Sequence, residues 1–448
     1  MIDPARPATA AASRPVVASR PVMMAMLVIA YTLNFIDRQI VGILAEPIKA
    51  DLGLSDGQLG WMGGTAFALF YTVLAIPLAM LADRRNRSWI IALGLTLWSA
   101  ATALCGLAQN FWQLFLARMS VGVGEAAGVA PAYSLISDLY PPERRARALA
   151  IFSLGIPIGS ALGVLFGGLI AASVDWRAAF VTIGLVGVLF APIFKYVVRD
   201  PGHGHMSAPP SAPAAAPAPE PAPEPAARPT SSAPSIGTVF RTIAAKPSFW
   251  YLSLGAGMAS MAGYGFAFWI PSFLARSFDL GLVDRSWVMA GIAFFGGATG
   301  IWAGGVLGDR LGSRAPGGYA RLIAIAFLVT LPSYLVAFAS ETLWLSFLLF
   351  LIPSALGLMW LGPVVTAITK LVPANMRATA SALFLFINNL LGLGLGSPLI
   401  GEISDALTPL YGEEALRYSA MATTLVYAGA AIMMALAARR LGRDVVEA

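Results

Sequence analysis

The sequence predicts an all-α membrane protein with twelve transmembrane helices in two six-helix bundles related by pseudo-two-fold symmetry. Three observations predict it. About a dozen apolar stretches of roughly 20 residues run through the 448-residue chain, each long enough to cross a hydrocarbon core of about 30 Å as a helix. Basic residues mass in alternate loops. Two polar landmarks recur in the same order in both halves.

Composition narrows the class. The chain is 58% hydrophobic and 12% charged, about half the charge share of a soluble domain. The net charge of +6 sits in short loops between apolar spans, which fits topogenic charge rather than a nucleic-acid patch. Cys105, the single cysteine, lies inside a span, so no intramolecular disulfide can form. His203 and His205, the only histidines, fall in a polar linker. Neither a His-based metal site nor a His proton relay is available in the membrane, so proton coupling must run through carboxylates. No cofactor, metal or catalytic nucleophile with an adjacent base is evident, and an enzyme is not expected.

The expected helices are 23–47, 58–82, 88–109, 111–139, 146–172 and 176–198, then 247–275, 285–309, 318–339, 342–370, 376–404 and 416–440. Residues 1–22 are Ala/Pro/Arg-rich without a signal-peptide core and are expected to form a disordered tail. Residues 199–246 form the expected linker, Pro/Ala-rich over most of its length, between bundles at 23–198 and 247–440, and 441–448 form a second tail. With the termini placed inside, the inner loops hold groups such as Arg84, Arg85 and Arg87, or Arg144, Arg145 and Arg147. The outer loops hold only Lys49, Arg177, Arg276, Arg285 and Arg417, beside acids such as Asp51, Asp56 and Glu413. Both termini are therefore expected in the cytoplasm of a multi-pass inner (plasma) membrane protein.

The repeat lies in the loops. Asp83-Arg84-Arg85-Asn86-Arg87 follows the second span, and Asp309-Arg310-Leu-Gly-Ser-Arg314 follows the eighth. Leu139-Tyr-Pro-Pro-Glu-Arg-Arg145 opens the fifth span, and Leu371-Val-Pro-Ala-Asn-Met-Arg377 opens the eleventh. Such matched landmarks indicate duplication of a six-span unit. Because arginine's planar fork suits carboxylates, Asp83, Arg84, Arg87, Asp309, Arg310, Arg314, Arg145 and Arg377 are candidates for a conformational latch at the cytoplasmic face. Topogenic charge alone is the plainer alternative.

A second constellation lies within the spans. Arg118 and Glu125 share one face of the fourth, and Asn34, Asp37 and Arg38 lie in the first. An ionised residue at mid-membrane costs roughly 2.5–3.5 kcal/mol on insertion scales, so these groups must face a cavity or one another. Glu125 can bind and release a proton, and Arg38 or Arg118 can hold a phosphate or carboxylate. A static ion-pair cluster that fixes helix register is the alternative. Tyr31 joins the candidates from the first span. The C-terminal half offers only polar and aromatic ones: Tyr264, Trp269, Trp360, Asn388 and Asn389, with the asparagines expected to face inward. Gly122, Gly124 and Gly128 sit inside an apolar span and serve packing rather than nucleotide binding, as do Gly155, Gly159, Gly163 and Gly167. Prolines 77, 131, 157, 271, 353, 363 and 398 can bend their spans.

The Asp-Arg loops resemble the signature of the major facilitator superfamily, although Ala79 and Asn86 replace glycines in the first copy. Asn34-Phe-Ile-Asp37-Arg38, Asp83–Arg87 and Gly122-Val-Gly-Glu125-Ala, running on to Ser137-Asp138-Leu, resemble its spinster family. That resemblance implies the superfamily fold, spans one and four lining a central cavity, and sphingolipid or lysophospholipid transport. It also implies coupling or substrate roles for Asp37, Arg38 and Glu125. The expectation is a monomeric, proton-coupled transporter in the lipid bilayer, working by alternating access on an amphiphilic, anionic, lipid-like substrate. An organic-anion/proton symporter and a non-transporting sensor or scaffold are the rivals.

Overall fold

The structure, a computed structural model, describes residues 19–202, 235–312 and 317–446. Among them every regular element is helical. Nine stretches are long and apolar enough to cross a membrane, and one, Thr379–Asp444, contains two crossings, Arg377–Tyr411 and Ala415–Asp444. Two more columns fall short of that apolarity. Phe111–Leu139 is interrupted and carries Arg118, Glu125 and Asp138, while Pro247–Phe278 is diluted by Gly, Ser, Tyr and Trp. The helices thus group into twelve columns. An even number returns the chain to its starting side, so Arg20 and Asp444 share one end, the terminal face. The opposite end is the far face.

The packing shows the two-fold relation. In the N-terminal half span one packs on five, two on four and three on six; in the C-terminal half seven packs on eleven, eight on ten and nine on twelve. Across the halves two meets eleven and five meets eight, a pairing that maps onto itself when the halves are exchanged.

Three of the seven prolines coincide with helix breaks. Pro131, Pro157 and Pro363 follow the interruptions at 126–128, 154 and 359–360, where the missing N–H and the ring free the preceding turn. Pro77, Pro271, Pro353 and Pro398 lie within continuous helix. The break in span four falls immediately after Glu125.

Several boundaries differ from expectation. The first helix begins at Arg20, the eleventh span runs on to Tyr411, and the last reaches Asp444 through the first half of the expected tail. The expected linker ends in a helix, Ile236–Ala244, capped by Ser235 and seated by Val239 and Ile243, both fully buried. Burial of one apolar face stabilises a helix where composition alone reads as tether. The rest of that linker, from 203 to 234, and the expected tail up to residue 18 lie outside the described residues.

The glycine stripe of span five sets the position of span one. A Cβ at Gly159 would sit 2.5 Å from the Thr32 carbonyl oxygen, and one at Gly163 2.8 Å from that of Ile36. Span one is therefore held at backbone contact, just before Asp37. Gly163→Leu is expected to force the two helices apart, costing about 1–3 kcal/mol or more. A lower thermal midpoint and loss of the monodisperse peak in detergent gel filtration would check this.

Candidate functional site

The intramembrane charges of spans one and four come together. Arg38 Nε donates to Glu125 Oε2 at 2.7 Å, and Arg118 Nη1 donates to the Asp37 carbonyl at 3.3 Å. Glu125 is 0% exposed, Arg118 1% and Asp37 2%. Glycine makes this approach possible. Gly122 faces the Phe67 carbonyl in span two, and a Cβ at Gly124 would lie 2.5 Å from the Trp98 nitrogen in span three. The Arg38 guanidinium is boxed by rings, 4.6 Å from the centroid of Tyr71, 4.8 Å from Phe67 and 5.1 Å from Phe35. Such contacts partly replace lost hydration at about 0.5–2 kcal/mol each.

The pairing is incomplete. Arg38 Nη2, Arg118 Nε, Asp37 Oδ1 and Glu125 Oε1 are buried without a hydrogen-bond partner. A central cavity of about 50 Å³ lies against this cluster. Arg38, Arg118 and Phe67 form one wall, and Tyr264, Phe268 and Leu393 form the other. One side is thus cationic and the other largely apolar.

The remaining candidates take other positions. Tyr31 stacks on Phe152 at 4.3 Å and, with Asn34, lines a smaller cavity inside the N-terminal half. Asn388, expected to face inward, is buried in its own half, where its Oδ1 accepts from Ser260 Oγ at 2.9 Å. Trp269 Nε1 donates to the Ser397 carbonyl, and Trp360 meets Phe384 edge-on. The aromatic box, with Phe67 and Tyr71, escaped the sequence reading because nothing in a single apolar span says which ring faces a guanidinium.

At the terminal face, Asp83, Arg84, Arg310 and Arg377 are exposed. Arg145 Nε donates to the Tyr140 carbonyl. The Asp309 side chain and all of Arg314 lie outside the described residues. Arg87 differs from its neighbours. Fully buried, it joins Asp138 at the end of span four to Asp200 beyond span six, each at 2.5 Å. The ion pairs of Arg87 therefore lie within one half, with Asp138 and Asp200 rather than Asp83 as its partners. Burial raises the Asp200 pKa, but hydrogen bonds from Arg87 outweigh it and hold the carboxyl below its ordinary value. The tie is complete above the usual carboxylate range and weakens as pH falls through that lowered value.

The far face holds a clasp that the sequence reading missed. Arg276 pairs with Glu46 at 2.8 Å and Asp56 at 2.7 Å, so span seven grips the ends of spans one and two. Asp405 in span eleven accepts from the backbone N–H groups of Asp56 and Gly57. Ser404 donates to Asp56, and Trp61 Nε1 donates to Glu402. Side-chain hydrogen bonds crossing between the halves gather at this end among the described residues. A signal was available: Arg276 is a cation on the acid-rich side.

Two pseudo-symmetric bundles, joined at one face around a charged central cavity, define a membrane transporter of the alternating-access type. The sequence matches the family described as Major Facilitator Superfamily over residues 27–397. An MFS-type efflux pump of Mycolicibacterium smegmatis is 35% identical, covering 94% of this chain and 93% of its own length. Protein spinster homolog 1 of Bos taurus is 30% identical over 86% of this chain and 73% of its length. The crystal structure of a bacterial homologue of the human lysosomal transporter spinster, inward-facing and unoccupied, superposes with a TM-score of 0.83. It is 32% identical, covering 96% of this chain and 98% of that one. The chain belongs to the major facilitator superfamily and, within it, to the spinster family.

Arg276→Gln is expected to loosen the far face without unfolding either bundle. Spin labels at Asp51→Cys and Glu413→Cys, measured by double electron–electron resonance, should show a new longer-distance population. An unchanged distribution would contradict the clasp.

Proposed function

We propose that the protein transports an amphiphilic anion, a lysophospholipid or sphingolipid-like molecule, in exchange between a far-face-open and a terminal-face-open state, with protons coupled through Glu125. One observation carries the reading. Arg38 and Arg118 line the same cavity, each with a buried unpartnered N–H, opposite a largely apolar wall. Phosphate or carboxylate oxygens satisfy such donors, and an acyl chain suits the apolar side. The cavity, at about 50 Å³, is far below the roughly 300–1,000 Å³ of a small-molecule site, so cargo enters as the bundles part.

The loop charges support a cytoplasmic terminal face. With the far face clasped, the state described is inward-facing. Arg84, Arg310 and Arg377, with Asp83, lie exposed at the terminal face, and in this reading they form the opposing latch when it closes. The family relationship supports this two-state reading.

The ion pair supplies the coupling. Protonating Glu125 removes Arg38's partner, and a headgroup oxygen takes its place. Proton and anion therefore favour one another's binding, and by linkage the preference is reciprocal.

A thermal-shift panel of lysolipids and small carboxylates at pH 5 and pH 8 tests this. Lysolipids should stabilise the protein more at pH 5. Glu125→Gln should make that stabilisation independent of pH. Arg118→Ala should weaken it by about 2 kcal/mol or more, roughly 30-fold in affinity. Both variants should fold yet fail to transport in proteoliposomes. Stabilisation by carboxylates alone would favour an organic-anion symporter, and wild-type uptake by both variants would end the site assignment.

A further inference from the structure

Arg38 stands between Glu125 and the central cavity, and Asn34 stands between Glu125 and a second one. The Glu125 Oε2 is bound by Arg38, which faces the central cavity. Its Oε1 is buried and unpartnered, and the Asn34 side chain lies against the carboxylate. Asn34 in turn lines the second cavity, between spans one, three, four and five, with Tyr31, Trp98 and Phe152 among its walls. Asn34 is 2% exposed, and neither its Oδ1 nor its Nδ2 has a partner. The Trp98 Nε1 is likewise buried and unpartnered.

With only the Glu125 carboxylate beside it, the Asn34 amide has buried hydrogen-bonding sites left over, which are costly in a dry site. The cavity measures about 20 Å³, and one water needs roughly 10–15 Å³ and two or more polar partners. Asn34 alone supplies two. An acyl chain or headgroup has no room there, so water is the ligand whose size and polarity fit.

We propose that this cavity is an internal water site held by Asn34, and that Glu125 exchanges its proton with that water at Oε1, on the side away from the cargo. The role of Glu125 rests on the transport reading above; the water site does not. In the exchange, a protonated water gives one proton to Oε1. An O–H bond forms on the carboxyl as one breaks on the water, leaving neutral water and a neutral Glu125. Arg38 then loses its ion-pair partner. The groups facing the carboxyl are Arg38 and Asp37 from span one and Arg118 from its own span, and none of them lies in the water cavity's wall. Toward the terminal face the cavity is lined by Leu27, Ile91 and Phe152, and in this proposal water reaches it past these apolar side chains. Asn34 is thus a positioning residue. It keeps the proton's path separate from the cargo's, so an acyl chain in the central cavity does not block protonation.

Two measurements on the full chain test this. In X-ray radiolytic footprinting, an ordered water adjacent to a ring promotes its oxidation. Trp98 and Phe152, both buried, should be labelled several-fold faster than Phe327, a fully buried ring in the other half. Asn34→Leu, which fills the cavity, should abolish that excess. Equal, slow labelling of all three in the wild type would overturn the water site without reference to transport. In the second measurement, proton uptake after a pH jump is followed with pyranine without cargo, and the Glu125→Gln trace is subtracted. Asn34→Leu should slow the Glu125 component at least tenfold. Asn34→Ser, with a hydroxyl and room for a second water, should restore most of the rate. An unchanged rate in Asn34→Leu would overturn the relay. Absence of any Glu125 component in the wild type would overturn the relay together with the proton-coupled reading. If Asn34→Leu fails to fold, wild-type footprinting decides the site and the Asn34→Ser rate decides the relay, a loss of the Glu125 component there counting against it.

Discussion

The Arg38–Glu125 ion pair constrains everything around it. An ion of this size loses several kcal/mol of effective solvation when buried, even after relaxation, and the pair lies within spans that must present an apolar surface to lipid. The chain meets that constraint with close packing and rings. Gly122 and Gly124 bring span four to backbone contact with spans two and three. The span-five stripe does the same for span one. Rings from Phe35, Phe67 and Tyr71 surround the guanidinium. Placement is close to rigid, yet hydrogen bonding is left unfinished at Arg38, Arg118, Asp37 and Glu125. A purely structural cluster gains nothing from unfinished bonds. The proposed exchange of a proton and an anion would use them.

The two faces divide the work of alternation. At the far face, Arg276, Asp56, Glu46 and Asp405 join the halves through charge-assisted contacts. At the terminal face, two ties join elements of the same half. Arg87 ties Asp138 to Asp200, while Lys246 Nζ donates to the Leu371 and Asp444 carbonyls at 2.6 Å. Such internal bracing suits the rocking of two stiff bodies by which transporters of this architecture alternate.

Architecture was legible in the sequence because its signals are additive: hydropathy over 20 residues, charge over many loops, and motifs read twice. The span limits held to within several residues, as with Gly318–Ala339 and Trp176–Val197. Specific partners were less legible. Arg38 and Glu125 could be grouped by the cost of charge in lipid, but Asn388 could not be distinguished from a cavity residue, because Ser260, its partner, lies 128 positions away. The clasp was hidden for another reason. Four of the five outer cations, Lys49, Arg177, Arg276 and Arg417, each pair with an acid close in space, which a count of loop charges does not show. Short-range pairing on the acidic side neutralises a cation without making it topogenic.

The duplicated scaffold also shows where the halves have parted. Aligning them on Leu139 and Leu371 brings Pro131 onto Pro363 and their helix breaks into register. The same alignment sets Phe350 against Arg118 and Gly357 against Glu125. Phe350 is fully buried among Phe273, Tyr334 and Phe338, with ring centroids 5.1–6.1 Å apart. One copy of the unit thus carries an ionic centre where the other carries an aromatic core, on matching backbones. Two ionic centres would double the desolvation cost and offer cargo a cavity cationic on both sides. One of each yields a polar wall facing an apolar one, and it leaves the C-terminal half a stiff, dry body against which the charged half can move.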